Sequence, residues 1–289
     1  TIQIFYLPTI KLHLLIMSTF IQIPNRINQL IKRSKLEEIF TYAAIRSQIK
    51  DSSYKAIMLK NQLAELVGVN ERTIYNYTDT LEKSGLILDI TKQHGIGEYS
   101  HNVYQFDELK EEYFNINPKL ITEESISPKL KGLLMLMQSY SIKGTNCLPF
   151  SSKKHLAEKV LHIGKNQLSA YLKELEAKKF IRIIDKTLIL SKEYFYLYII
   201  DTIQNRLYET IYDYCLSQNV VPPFKDIDTN DIGMIAAHYT TPDELLSALK
   251  KRCPKLPKIV SMTYFTKMLR NKRAETKNTN EFDFEFIID

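Results

Sequence analysis

Apolar positions recur every three or four residues through much of the chain and switch to alternation at a few points. From Leu36, the spacing of Ile39, Phe40 and Ala43 predicts a helix with one buried stripe, and Ser34 with Glu37 stands as a capping box. A short second helix is expected over about Gln62 to Val67, ended by Gly68, whose missing Cβ lets the backbone turn sharply. Asn70 is placed to cap a third helix, Glu71 to about Ser84, with Ile74, Tyr77 or Thr78, and Leu81 facing inward and Gly85 as the stop. The period then falls to two. "LILDI" (86–90) and "VYQF" (103–106) read as a hairpin with a long polar tip, "TKQHGIGEYSHN".

The same order returns in "KKHLAEKVLHIGKNQLSAYLKELEAKKFI", Lys153 to Ile181. Leu63, Ala64 and Glu65 match Leu156, Ala157 and Glu158 at an offset of 93, whereas Tyr77, Leu81, Glu82 and Ile87 match Tyr171, Leu175, Glu176 and Ile181 at 94. One inserted residue is therefore expected in the turn. The stretches beginning at Ser34 and Ser127 are again 93 apart, so a whole domain is duplicated. The second hairpin, "IRIID" and "TLIL", turns near Asp185 and Lys186, and its tip must be short.

These patterns divide the chain into an amino-terminal extension (1–33), a first domain (34–108), a linker (109–126), a second domain (127–192) and a helical carboxyl-terminal region (193–289). In the last, Glu193 to Ser217 reads as one long helix whose tyrosines serve a core or a self-association face. Thr241-Pro242-Asp243 caps another helix with proline at its first position, and a helix from about Ile259 to Lys272 follows. "AETKNTNEFDFEFIID" is expected to be loosely ordered or to add one strand.

A length of 289 residues predicts two or three compact units, and 44% hydrophobic with 25% charged residues excludes wholesale disorder. Three widely spaced cysteines offer neither a disulfide framework nor paired metal ligands, so a reducing cytoplasm is the expected location. The apolar amino end is broken by Pro8, Lys11 and His13 and has no basic region before it; no membrane partner is expected. Met17 is a candidate natural start, with residues 1–16 an upstream extension. Charge is uneven: 14 basic against 13 acidic residues over 1–120, 13 against 7 over 121–200, and 12 against 13 over 201–289. Lys250 to Arg273 adds a run of nine basic residues with no acidic one, a feature that attracts a phosphate backbone.

The stretch "LAELVGVNERTIYNYTDTLEKSGLI" resembles the winged helix-turn-helix superfamily. Two copies over about 34–200 resemble the replication initiators of plasmids and mobile elements, which grip origin repeats with paired winged helices. The expected fold is accordingly mainly α with small β-hairpin wings: two tandem winged-helix domains and a helical carboxyl-terminal extension. In "KIVSMTYFTKMLRNKRA", Tyr264, Met268, Leu269 and Asn271 resemble the end of DnaD-type replisome organisers, which implies a replication-machinery partner for that region. Those proteins place a Trp after the Asn, where this chain has Lys272.

In such a fold the third helix enters the major groove of double-stranded DNA. Its outward residues here are Arg72, Thr73, Tyr75 and Asn76. Arg72 suits guanine and Asn76 adenine, while Thr73 and Tyr75 suit phosphate or thymine methyl groups. The second copy offers Lys165, Asn166, Gln167, Ser169 and Lys173, with Lys153 and Lys154 at the start of its preceding helix. The first wing adds Lys92 and His94 beside Gly95 and Gly97.

No cofactor, metal or catalytic residue is expected. Gly164-Lys165 lacks the rest of a phosphate loop, and none of the six histidines forms the His-hydrophobic-His pair of a nicking enzyme. Two rival readings remain: a transcriptional regulator of the same fold, and a protein-interaction subunit resembling the tandem winged helices of chromosome-condensation accessory proteins. The latter tend to be acidic, unlike the middle of this chain.

Overall fold

The computed structural model describes residues 20–32, 35–94, 100–110, 112–142, 145–198, 201–223 and 230–270. The chain divides into two compact units, 1–196 and 197–289.

In unit one, β1 (Ile21–Pro24) leads into a 3-10 helix (Asn25–Lys32) and then α1 (Leu36–Arg46). The first copy continues with β2 (Lys55–Met58), α2 (Lys60–Val67), α3 (Glu71–Lys83), β3 (Asp89–His94) and β4 (Ser100–Gln105). β5 (Tyr113–Ile116) and α4 (Lys119–Thr122) follow, so the segment read from sequence as a linker carries structure of its own. The second copy comprises α5 (Pro128–Ser139), β6 (Cys147–Pro149), α6 (Lys153–His155) running into a π turn (Leu156–Val160), α7 (Lys165–Ala177), β7 (Ile181–Ile184) and β8 (Thr187–Leu190).

The expectation of a mainly α chain with small wings is corrected. About half of the described residues are helical and 15% are strand, in three small antiparallel sheets, a mixed α and β architecture. Each hairpin recruits a third strand, which precedes α2 in the first copy and α6 in the second: β2 pairs with β4 (Ala56↔Tyr104) and β6 with β8 (Leu148↔Leu188). The third sheet joins β1 to β5, with Ile21 opposite Ile116. Strands of three or four residues are too short for alternation to declare them, and their partners lie far away in sequence. The first hairpin is also longer than expected. Lys92 pairs with Asn102 and His94 with Ser100, so most of the supposed tip is ladder. Thr91, Lys92 and Gln93 are exposed, and a ladder projecting beyond the core is polar on both faces, which makes it read as loop.

α1 is enclosed on all sides, with every residue from Glu38 to Arg46 buried, because α5 packs along it. The two helices approach most closely at Gly132, where a Cβ would stand 1.9 Å from the Leu36 carbonyl oxygen. Only glycine admits that approach. Buried Arg46 ties the layers together: its Nε donates to the Gln22 carbonyl (2.8 Å), and its guanidinium lies 5.3 Å from the Phe106 ring centroid. The expected capping box falls partly outside the described residues, because Ser34 is not among them. Lys35 occupies the N-cap without a side-chain bond, and Glu37 sits 3.5 Å from Lys129 Nζ.

The helix expected from Glu193 begins only at Ile203. Residues 192–194 form a turn and Phe195 then bridges Ile116, while Asn117 N–H donates to the Tyr194 carbonyl, which ties this stretch to the edge of β5.

Unit two holds α8 (Ile203–Ser217), α9 (Asp231–Ala236), α10 (Pro242–Arg252) and α11 (Met262–Leu269). Leu207, Ile211, Cys215, Leu245, Leu249 and Phe265 are buried in it, as are Tyr208, Tyr212 and Tyr214, so the apolar stripe of α8 is used internally. Tyr214 donates its hydroxyl to the Cys253 carbonyl at 2.7 Å. Thr241 caps α10 as its sequence predicts. The final helix is shorter than expected, and residues beyond Arg270 lie outside the described ones. Among the described residues, no helix is long and apolar enough to cross a membrane.

Candidate nucleic-acid interface

Two short helices meet at a left-handed residue in each copy. Gly68, with φ of 71°, ends α2; Asn70 then caps α3, its Oδ1 accepting the Thr73 N–H at 2.8 Å. Ile74, Tyr77, Thr78 and Leu81 are buried, which turns the opposite side of α3 to solvent. In the second copy the left-handed residue is His162, φ 51°, and its offset from Gly68 is already 94. The extra residue therefore lies upstream, within the helix rather than the turn. The helix takes it up as the π turn, with Leu161 N–H reaching back five residues to the Leu156 carbonyl.

Arg72 and Asn76 are both exposed and one turn apart, on the side of α3 opposite its buried stripe. Thr73 is placed differently from the expectation: it is half-buried, and its hydroxyl donates to Asn70 Oδ1 at 2.9 Å. Further along the outward face, Lys83 bonds Asp79 at 2.7 Å; that bond holds the Lys83 ammonium above its usual range. Its charge is thereby answered within the helix.

Tyr75, 60% exposed, leans toward the hairpin and lines a groove of about 640 Å³ with Lys92 of β3. Sequence reasoning missed three other residues of this groove: Lys60, Asn61 and Asn102. Lys60 Nζ stands 5.4 Å from the Tyr75 ring centroid, a cation–π distance. The groove wall also carries Glu71, Asp79 and Glu82, which weakens its attraction for anions. His94 ends β3 opposite Ser100; Gly95 and Gly97 lie outside the described residues.

On α7, Leu168, Leu172 and Leu175 are buried, and Lys165, Asn166 and Lys173 are exposed. At an offset of 94, Asn166 stands for Arg72, Ala170 for Asn76 and Lys173 for Asp79. An acid in one copy is thus a cation in the other. Gln167 is exposed as well, and its Nε2 donates to the Tyr171 hydroxyl at 2.6 Å. Ser169 is half-buried. Lys153 and Lys154 are exposed at α6, and Lys159 in the π turn joins them, a residue the sequence reading passed over.

Among the described residues, no group of three or more His, Cys, Asp and Glu could hold a metal ion. No family model, curated protein or solved structure matches this chain.

Proposed function

We propose that the chain binds double-stranded DNA sequence-specifically through α3 and α7 and serves as a replication initiator of a plasmid or mobile element. The observation that carries this reading is the pair of helix-turn-helix units with different exposed polar faces, held in one compact unit by α1 against α5. The amino-terminal half of α3 supplies base readout: Arg72 can bond guanine bidentately and Asn76 adenine. In its carboxyl half Lys83 is paired with Asp79 and Glu82 adds a further acid, so that half stands off the phosphate backbone. α7 takes the complementary share, with Lys165 and Lys173 and the neighbouring Lys153, Lys154 and Lys159 holding phosphates. Three buried cysteines suit a reducing cytoplasm, where the proposed DNA partner resides.

The replication role rests on the initiator resemblance of the tandem copies and on the organiser-like stretch around Tyr264 and Met268. In unit two Tyr264 is half-buried and Met268 exposed, leaving Met268 open to a protein partner.

Because the two readers share one core, their half-sites should have a fixed separation. Duplexes selected from a random pool should bind with an affinity that falls steeply with salt, and moving the half-sites apart by about half a helical turn should cost roughly a hundredfold. A plasmid carrying such sites should be maintained only when the chain is supplied. No duplex binding at low salt would remove the DNA reading and favour the interaction-subunit rival. Binding with an effect on transcription alone would favour the regulator.

A further inference from the structure

Unit two carries a surface that the two readers leave unexplained. From Leu245 to Arg270 it has seven cations, at 250, 251, 252, 255, 258, 267 and 270, and no acidic residue. Six of them are exposed, and Arg252 is half-buried with its guanidinium donating to the Leu269 carbonyl at 2.8 Å. In the loop between α10 and α11, Ile259 is 88% exposed, the most exposed large apolar side chain among the described residues.

The loop is built to hold Ile259 out. Cys253, Leu256 and Val260 are buried in the core of unit two, so the chain is anchored before and after it. Pro254 and Pro257 fix φ between those anchors and limit the conformations the loop can take. Lys255 and Lys258 are exposed on the same short loop.

Shape and charge together choose the partner. A peptide would need a groove, and an acyl layer would need several apolar residues, whereas this is one stiff β-branched side chain on a loop with two exposed lysines and no acid. A partner that fits presents a narrow slit between two rows of negative charge, as a base-pair step in the minor groove does. We propose that the Pro254–Ser261 loop is a separate DNA contact, in which Ile259 wedges into a base step from the minor groove, Lys255 and Lys258 hold the flanking phosphates, and the duplex is kinked. The proposal rests on the DNA-binding reading above and adds a deformation that α3 and α7 do not require.

The test uses the full chain and a mixed-sequence duplex of roughly 40 base pairs, labelled at its two ends for energy transfer. Wild type should shorten the end-to-end distance, as a kink of about 20 to 90° does. Ile259→Ala should bind within about tenfold of wild type, since unstacking offsets much of the gain from insertion, yet leave the duplex straight; Ile259→Leu should restore the bend. Lys255→Gln and Lys258→Gln should each lower the salt slope by about one. A bend of wild-type size in Ile259→Ala, or wild-type binding without bending, overturns the wedge while leaving the DNA reading intact. Failure of wild type to bind the duplex at low salt overturns both, and Ile259-dependent capture of anionic vesicles or an acidic peptide in that case would assign the loop to another partner.

Discussion

Replacing Gly132 with alanine places a methyl group 1.9 Å from the Leu36 carbonyl oxygen, where an ordinary C···O contact needs about 3.3 Å. The obstacle is backbone, so no rotamer relieves it, and α1 and α5 must part by roughly 1.4 Å. Overpacking of this kind costs about 3 kcal/mol at the upper end of its usual range, and alanine returns about 1 kcal/mol through better helix propensity. A net loss of about 2 kcal/mol is expected, or about 4 to 8 °C in Tm for a unit of this size. Gly233 in α9 is the control, because its nearest obstacle is Gln204 Nε2 at 4.0 Å and Gly233→Ala should gain up to about 1 kcal/mol. Urea denaturation of the full chain, followed by hydrogen-exchange protection in the α1 and α5 peptides, reads unit one separately from unit two. An unchanged or raised midpoint for Gly132→Ala would mean that the helices do not meet there, and the fixed separation of the two readers would fall with it.

Arg72→Ala and Asn76→Ala should each relax preference at one base position by about 1 to 3 kcal/mol, measured by competition between selected and scrambled duplexes; equal losses on both would reduce the pair to phosphate contacts. Lys131 supplies a pH test. Its Nζ donates to the Ile121 carbonyl at 2.8 Å and stands 4.8 Å from the Phe40 centroid, and burial pulls its pKa from 10.5 down to about 8. The folded pKa lies below the unfolded one, so between these values the unfolded chain keeps a proton that the folded chain has lost, and stability rises with pH. The rise should amount to about 2 to 3 kcal/mol after allowance for residual hydration, with the full penalty present below pH 8. Lys131→Met should remove that rise while losing the bond to Ile121 at every pH; a wild-type-minus-variant difference in urea midpoint that stays flat from pH 7 to 10.5 would sink the assignment.

Local chemistry was legible from the sequence where one residue decides the backbone. Gly68 and Gly85 adopt the left-handed conformation their positions demanded, and Asn70 caps α3. The buried stripe of α3 also placed Arg72 and Asn76 outward, since helical periodicity needs no tertiary information. Long-range pairing left no such mark. β1 and β5 each hold four residues, and neither alternates strongly enough to announce a partner at the far end of the first copy. Tyr194 to Tyr196 suits a helix or a strand by composition, and pairing of Phe195 with the β5 edge decided against a helix. The same limit applies to the interface. The bond from Gln167 to Tyr171 shows only in the fold, and Lys60 of α2 and Asn102 of β4 join Tyr75 only once both elements have packed beside α3.

Adding a residue to a continuous α-helix swings every later side chain by about 100° around the axis. At that phase error Leu168, Leu172 and Leu175 would have left the core and Gln167, Tyr171 and Glu174 would have taken their places. The widened turn at Leu156–Val160 works as a phase corrector: it absorbs the surplus before the chain reaches His162, and α7 emerges with its heading unchanged. A deletion within this turn would therefore be silent at the reading face, whereas the same deletion in α2 would misdirect α3. The second copy thus carries a spare residue, an allowance for change in length that the first does not have.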